Sequence, residues 1–237
     1  MENHHIHKYE NLPRPKSFMP GPVAPWASVK PIERKIKIDD FIIALGKQEI
    51  AQSKLEEINE TKIEPTSAIL APFILDPTNT YLDKIVVTQR PETMNSYSGH
   101  VSFPGGHIEP GDLSLKECAL RETKEEIGVE STNIEIIARA VDTRTKTKDS
   151  LIAPFVGIIK NNAIENAKIN TEEVDILHLI KTDQLLKPDN YFCEIWDGKE
   201  TSHLIHIFSV KDTQERPVFI WGATAQIIYD LLSINFN

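Results

Sequence analysis

One stretch of this chain, residues 105–130 (GGHIEPGDLSLKECALRETKEEIGVE), constrains the fold more than any other. Ser114 followed three positions on by Glu117 makes a capping box, and the apolar run Cys118, Ala119, Leu120 comes next. A helix is therefore expected to start near Ser114. Gly128 is placed to end it, because glycine takes the left-handed conformation after a last helical turn without strain. Between these signals stand Arg121 and three glutamates, Glu122, Glu125 and Glu126, within six positions. At roughly 100° per residue the glutamates fall on the face that also carries Leu115, Cys118 and Ala119. A helix that turns those small apolar residues inward turns its carboxylates inward as well. Burying unpaired carboxylates is expensive, so this face requires cations: Arg121 for one carboxylate and divalent metal for the rest. Hard oxygen donors suit magnesium or manganese. Taken alone, the helix is also compatible with a solvated acidic surface.

The rest of the chain sets bounds on that reading. Its 237 residues suit one medium domain with an appendage. The formal charge of −9 argues against polyanionic nucleic acid as a main ligand. No apolar run reaches the length of about 18 residues that a membrane helix needs. The polar, His-rich start (His4, His5, His7) does not read as a secretory signal. Two isolated cysteines, Cys118 and Cys193, point to a reducing, cytoplasmic compartment.

Three zones follow from composition. Residues 1–36 hold six prolines (Pro13, Pro15, Pro20, Pro22, Pro25, Pro31), which forbid regular structure and predict an extended arm. Phe18 and Trp26 are its apolar anchors, so it is expected to lie along the domain or along the partner subunit of a homodimer. Residues 37–65 form an amphipathic helix and linker, with Ala51, Leu55 and Ile58 as the inward stripe. Residues 66–237 alternate strands and turns. Strands are expected over 67–75, 84–88, 99–103, 134–141, 151–159, 174–180 and 204–210, and a closing helix over 224–232 with Thr224 as its cap. The pattern predicts an α/β fold, a mixed sheet with helices on both faces.

The residues Gly106, Asp112, Arg121, Glu122, Glu125, Glu126 and Gly128 resemble the Nudix box, the loop-helix-loop signature of enzymes that hydrolyse nucleoside diphosphates linked to another group. Leu113 makes the gap between Asp112 and Arg121 eight residues, one longer than usual, and lies in the loop before the helix. Asp112 replaces the usual glutamate, and Thr123 stands where an aliphatic residue is common. Upstream, residues 86–106 (VVTQRPETMNSYSGHVSFPGG) resemble the segment that precedes the box in Nudix coenzyme A pyrophosphatases, with Thr88, Arg90, Gly99, Phe103, Pro104, Gly105 and Gly106 in register. The segment Trp221-Gly222-Ala223-Thr224-Ala225 is similar to that subgroup near the C-terminus. Two positions depart from it: Pro91 replaces a serine and Asn95 an arginine, and asparagine lacks the charge of a bidentate phosphate contact.

The resemblance implies a Nudix-type α/β/α sandwich with an N-terminal extension, and Mg²⁺- or Mn²⁺-dependent hydrolysis of a small nucleotide substrate. Coenzyme A is the leading substrate, giving adenosine 3′,5′-bisphosphate and phosphopantetheine. ADP-ribose, NADH or a nucleotide sugar is the alternative, and a non-catalytic ligand sensor a further one. It implies Glu125 and Glu126 as metal ligands, Glu122 as ligand or water-activating base, the Gly106 carbonyl as a further ligand, and Arg121 as the residue orienting a glutamate. Arg90, Gly105 and Phe103 are the expected substrate contacts. Arg144, Lys146 and Lys148 are candidates to compensate for Asn95, and Glu172-Glu173 is a candidate further acidic ligand. His100 and His107 are candidate proton donors, and Trp196, Trp221, Phe192 and Tyr191 candidate base-stacking rings.

Overall fold

A computed structural model describes residues 12–58, 64–93, 98–144, 150–197 and 202–236, with the side chains of 49–58 outside that description. Strand β1 is Phe18–Pro20, helix α1 Ile38–Ile58, β2 Ser67–Leu75, β3 Leu82–Gln89, β4 Val101–Ser102 and β5 Gly105–His107. Helix α2 is Leu115–Ile127, followed by β6 Ile134–Arg139, β7 Thr143–Arg144, β8 Leu151–Ile159 and α3 Asn161–Glu165. Then come β9 Ile176–Lys181, α4 Thr182–Leu185, β10 Tyr191–Asp197, β11 Ser202–Lys211, β12 Pro217–Trp221 and α5 Gly222–Ser233.

The expected α/β class is the one adopted. β2 pairs parallel to β8 and antiparallel to β3 and β5, at the centre of a mixed sheet whose main path runs β4-β3-β2-β8-β6. The run Ser67–Ile74 of β2 is buried throughout, as a strand covered on both faces must be. Its alternation splits the core in two. Ala68 and Leu70 pack with Cys118 and Ala119 of α2 on one face, while Ile69, Ala71 and Phe73 meet Phe41, Leu45, Phe208 and Ile228 on the other. Pro72 is tolerated in so central a strand because β5 pairs with residues 67–69 and β3 only from Phe73 onward, so no neighbour on that side needs its missing N–H.

A second sheet, β1-β10-β11-β12, covers part of the face opposite α2 together with α5. It went unforeseen in the apolar pattern apart from β11. The expectation that prolines keep the arm irregular is corrected here. Phe18–Pro20 pairs antiparallel with Glu194–Trp196, and short 3₁₀ turns follow at Pro25–Ser28 and Pro31–Glu33. Proline is admissible at this edge because only one side of β1 is paired. Trp26 is fully buried, its ring 5.5 Å from Tyr191 and 6.0 Å from Tyr229, whereas Phe18 stays exposed beneath the Arg14 guanidinium. Residues 1–11, with the three early histidines, lie outside the described residues, as do the side chains of Ala51, Leu55 and Ile58; α1 anchors through Phe41 and Leu45. Helix α5 is capped by Trp221 without a side-chain bond, not by Thr224, and β9 begins at Ile176, two residues later than expected.

Candidate active site

Helix α2 forms as its sequence dictates. Ser114 Oγ accepts from the Glu117 N–H at 3.2 Å, and Glu117 Oε2 reaches back to the Leu113 N–H at 3.0 Å. Gly128 closes the helix with φ +70°. Leu113, the additional loop residue, is almost wholly exposed, so it lengthens the loop and leaves the helix register intact.

Two glycines bring the loop against the helix. Gly105 and Gly106 belong to β5, which pairs with the start of β2. A Cβ on Gly105, at φ +154°, would lie 2.4 Å from the Ala68 carbonyl oxygen, and one on Gly106 would lie 2.3 Å from Glu122 Oε1. Glycine at 105 lets the loop lie against the backbone of β2, and glycine at 106 leaves the Glu122 carboxylate in its place beside the loop. The Gly106 carbonyl accepts from the Cys118 thiol at 3.7 Å.

Arg121 organises the acidic side chains. Its Nε and Nη2 bind Asp112 at 2.9 and 3.0 Å, Nη1 lies 3.0 Å from Glu122 Oε1 and 2.8 Å from Glu125 Oε2, and Nη2 also donates to the His107 carbonyl at 3.2 Å. The guanidinium holds the Asp112 carboxyl below its ordinary range. The three glutamates do not share one environment, which corrects the expectation that all turn inward. Glu126 is 5% exposed and Glu122 half-buried, but the Glu125 side chain is 51% exposed, drawn outward along the helix surface by Arg121 one turn earlier. Thr123 is inward instead, fully buried, with Oγ1 donating to the Ala119 carbonyl at 2.7 Å.

Glu126 is the most perturbed acid in the site. Burial, then the negative charges of Glu122 and Glu173, raise its pKa to about 8, against the opposing influence of Arg90 and the Gly105 amide. Its Oε2 is buried with no partner among the described residues. Glu122 is raised too, first by burial, with Arg121 opposing and Glu125 and Glu173 adding to the rise. Glu173 is held near this pair by the loop that follows α3, where the Asn170 N–H bonds the Glu126 carbonyl at 2.9 Å and the Glu173 N–H bonds Asn170. It sits in a turn, not at a strand start.

An orphaned buried carboxylate oxygen beside two further carboxylates is a donor set that fits a hard divalent cation. Among the described residues no three histidine, cysteine or carboxylate side chains yet stand close enough together to hold an ion. Glu122 and Glu126, with the Gly106 carbonyl, are the residues best placed to begin such a site.

The other expected residues separate. Arg90 leaves β3 toward α2, and its Nε is buried without a partner among the described residues. Phe103 is 3% exposed and part of the central core, so it supports the loop and presents little surface to a ligand. His107 bonds Ser67 Oγ at 2.8 Å, and His100 packs its ring 5.1 Å from that of Trp221. Tyr191 is buried, while Phe192, Trp196 and Trp221 pack in part around Leu12, Ile205 and Ile207. Arg144 ends β7 at an exposed position; Lys146, Lys148 and Asn95 lie outside the described residues. Both cysteines are buried, and neither forms a disulfide among the described residues. No helix among the described residues is long and apolar enough to cross a membrane.

Comparison with known proteins places this architecture. A family model described as NUDIX domain matches residues 65–215. The chain is 31% identical over 145 residues to Nudix hydrolase 22, chloroplastic, of Arabidopsis thaliana, covering 61% of this chain and 47% of that protein. It is 30% identical over 162 residues to the Nudix hydrolase NudL of Yersinia enterocolitica (68% of this chain, 77% of that protein). It is 27% identical over 177 residues to the peroxisomal coenzyme A diphosphatase NUDT7 of Mus musculus (75% and 70%). The chain spans about half the length of the plant and nematode relatives it matches.

Proposed function

We propose that this chain, which belongs to the Nudix family, hydrolyses the pyrophosphate bond of a nucleoside diphosphate derivative in the cytoplasm. Coenzyme A or its acyl and oxidised forms are the substrate, and adenosine 3′,5′-bisphosphate and phosphopantetheine the products. The observation that carries the hydrolase reading is Glu126, a buried carboxylate with one orphaned oxygen beside Glu122 and Glu173. The coenzyme A assignment is supported by residues 86–106 and by the likeness to a peroxisomal coenzyme A diphosphatase.

The phosphorus of a diphosphate is shielded by negative oxygens, so water attacks it only when charge is neutralised and the water is oriented. Glu122, Glu126 and the Gly106 carbonyl, with Glu125 alongside, would hold magnesium or manganese, which would supply that neutralisation and a more acidic water. Arg121, anchored by its paired bonds to Asp112, holds Glu122 and Glu125 in place through Nη1. Glu122, its proton affinity raised by burial, is suited to accept the proton of the attacking water. Arg90, whose charge already acts on Glu126, would meet the substrate phosphate. Gly105 and Gly106 keep the backbone low enough for the diphosphate to approach.

Pro91 and Asn95 favour a second reading, hydrolysis of ADP-ribose, NADH or a nucleotide sugar, because the cation that would meet a 3′-phosphate is missing there. An equimolar mixture of coenzyme A, ADP-ribose, NADH and UDP-glucose, incubated with Mg²⁺ and separated by chromatography, decides between them. Early adenosine 3′,5′-bisphosphate supports coenzyme A; its survival with loss of another compound supports the second reading. Consumption of none points to the ligand sensor. Glu125→Gln is expected to keep the fold and lower turnover at least about hundredfold. Near-normal turnover would remove Glu125 from the ligand set.

A further inference from the structure

Arg90 stands at the margin of the main sheet. Gln89, one residue before it, is the last rung of β3 on both sides, paired with Ile176 at the start of β9 and with Val101 at the start of β4. Successive side chains of a strand leave on opposite faces. Val86 packs in the cluster that holds Ile127 of α2, and Val87 in the cluster that holds the second sheet. Gln89 therefore shares the second-sheet face, and Arg90 points the other way, where its charge acts on Glu126.

A buried polar chain backs Gln89 on that second-sheet face. His178 of β9 pairs with Val87, so its side chain lies on the same face, and it is 1% exposed. Its Nε2 lies 2.9 Å from Gln89 Oε1, and its Nδ1 donates to Asp212 Oδ2 at 2.8 Å. Asp212 opens the turn between β11 and β12 and is held there by Arg216 Nε and by the Gln214 and Arg216 amides. The same turn grips β9 on either side of His178. Arg216 Nη2 donates to the Leu177 carbonyl at 3.0 Å, and the Thr213 N–H to the Leu179 carbonyl at 2.9 Å. Both ring nitrogens of His178 are thus engaged, one on a fixed turn and one on the strand end.

The strand end carries more than Arg90. The Asp175 N–H donates to the Gln89 carbonyl at 2.8 Å, and Asp175 follows the turn that holds Glu173 near Glu126. Backbone ladders resist separation, but their last rungs fray and twist easily. A side chain gripped on the far face removes that freedom, and supporting bonds of this kind decide how accurately a ligand-contacting group is aimed.

We propose that His178, fixed by Asp212 and bonded to Gln89, is a positioning residue that aims Arg90 at the substrate. The proposal rests on the reading of Arg90 as a phosphate contact.

Gln89→Met tests it, since methionine keeps the side-chain length at a half-buried position and loses the bond to His178. KM should rise about tenfold with kcat within about threefold, the pattern of lost substrate binding. Arg90→Ala should raise KM at least as much. In that background Gln89→Met should add less than about twofold, because a residue that acts through Arg90 has nothing left to aim. Asp212→Asn should raise KM about threefold alone and add nothing to Gln89→Met. Hydrogen exchange of the metal-free protein reads the strand end without turnover. The Arg90 and Asp175 amides, bonded to the His100 and Gln89 carbonyls, should exchange about tenfold faster in Gln89→Met, while the distant Lys160 amide keeps its rate.

Unchanged KM in Gln89→Met overturns the proposal, with or without faster exchange. So does a KM effect of full size that persists in Arg90→Ala, which would trace it to another route. Wild-type KM in Arg90→Ala removes Arg90 from the substrate and the proposal with it, and spares hydrolysis. Faster exchange in Gln89→Met, with no diphosphate turned over by the wild type, supports the grip on β3 and overturns the hydrolase reading.

Discussion

Asp212 and Glu126 are buried to the same degree, 4% and 5% exposed, and their carboxyls behave in opposite ways. Burial pulls both pKa values upward. At Asp212 that pull is outweighed, because Oδ2 accepts from His178 Nδ1 at 2.8 Å and Arg216 Nε at 2.6 Å, and Oδ1 from the Gln214 and Arg216 amides at 2.9 and 3.0 Å. At Glu126 one oxygen has no partner among the described residues, and the nearest charges include two more carboxylates. Burial of charge therefore does not mark a functional site by itself. The informative state is burial without satisfaction, because a fold tolerates it only where something else completes the site.

The comparison breaks most sharply at Asp212. Asp212→Ala leaves His178, Arg216 and two backbone amides without their shared acceptor, and should lower stability by about 3–5 kcal/mol, read as a shift in urea midpoint. The sign with pH follows from the depressed pKa: the contribution of Asp212 is present above its unfolded value and is lost as pH falls through the lower folded value. The difference between wild type and variant should narrow below pH 3.8. A constant difference down to strong acid would mean that packing, not charge, carries the effect.

Glu126→Gln should act in the other direction. Removing an unsatisfied buried charge is expected to raise the metal-free stability at pH 9 by about 2 kcal/mol while lowering turnover at least about hundredfold. Thermal melts in the presence of chelator and again with Mg²⁺ make the test complete. Mg²⁺ should raise the Tm of wild type and leave that of Glu126→Gln nearly unmoved. A loss of stability in chelator would show Glu126 to be a structural residue.

These two sites differ as much in legibility as in chemistry. The α2 site is local: capping box, glycine stop and charged face lie within the 26 consecutive residues 105–130, so helix and acid cluster could be read directly. What helical angles do not supply is the neighbour, and Glu125 turns outward because Arg121 one turn back holds it. Glu173 joins the cluster through a loop whose course no spacing reveals. The Asp212 network is only half local: Gln214 and Arg216 bind it within its own turn, whereas Gln89 and His178 arrive from β3 and β9, and nothing in their order announces that. The same holds for the sheets. Continuous apolar runs made β2 and β8 readable to the residue, whereas β10 mixes Cys193, Glu194 and Trp196, and β12 opens on Pro217.

Gly106→Ala sharpens the contrast within the active site. The added methyl meets the flexible end of Glu122, so stability should change by less than about 1 kcal/mol. Displacing that carboxylate from its position beside Arg121 should still lower kcat about tenfold, or about 1.4 kcal/mol of transition-state stabilisation. Unchanged kcat would show that Glu122 can relocate without consequence, and would weaken its assignment as ligand or base.

The smallest effect comes from a carboxylate between the two extremes. Asp230 on α5 accepts one bond, from Gln226 Nε2 at 3.0 Å, and burial raises its pKa to about 6. If satisfaction and not burial sets the sign, a single partner should leave Asp230 mildly destabilising when ionised. A folded pKa above the unfolded one contributes stability that is present below pH 3.8 and lost as pH rises through about 6. Asp230→Asn, which does not titrate, should therefore match wild type near pH 4 and exceed it at pH 7.5. The side chain is only partly shielded from water, so the gain should be about 1 kcal/mol and should shrink with added salt. A gain of equal size at both pH values would trace the effect to the amide's own bonding, and Asp230 would then drop out of the series that joins Asp212 to Glu126.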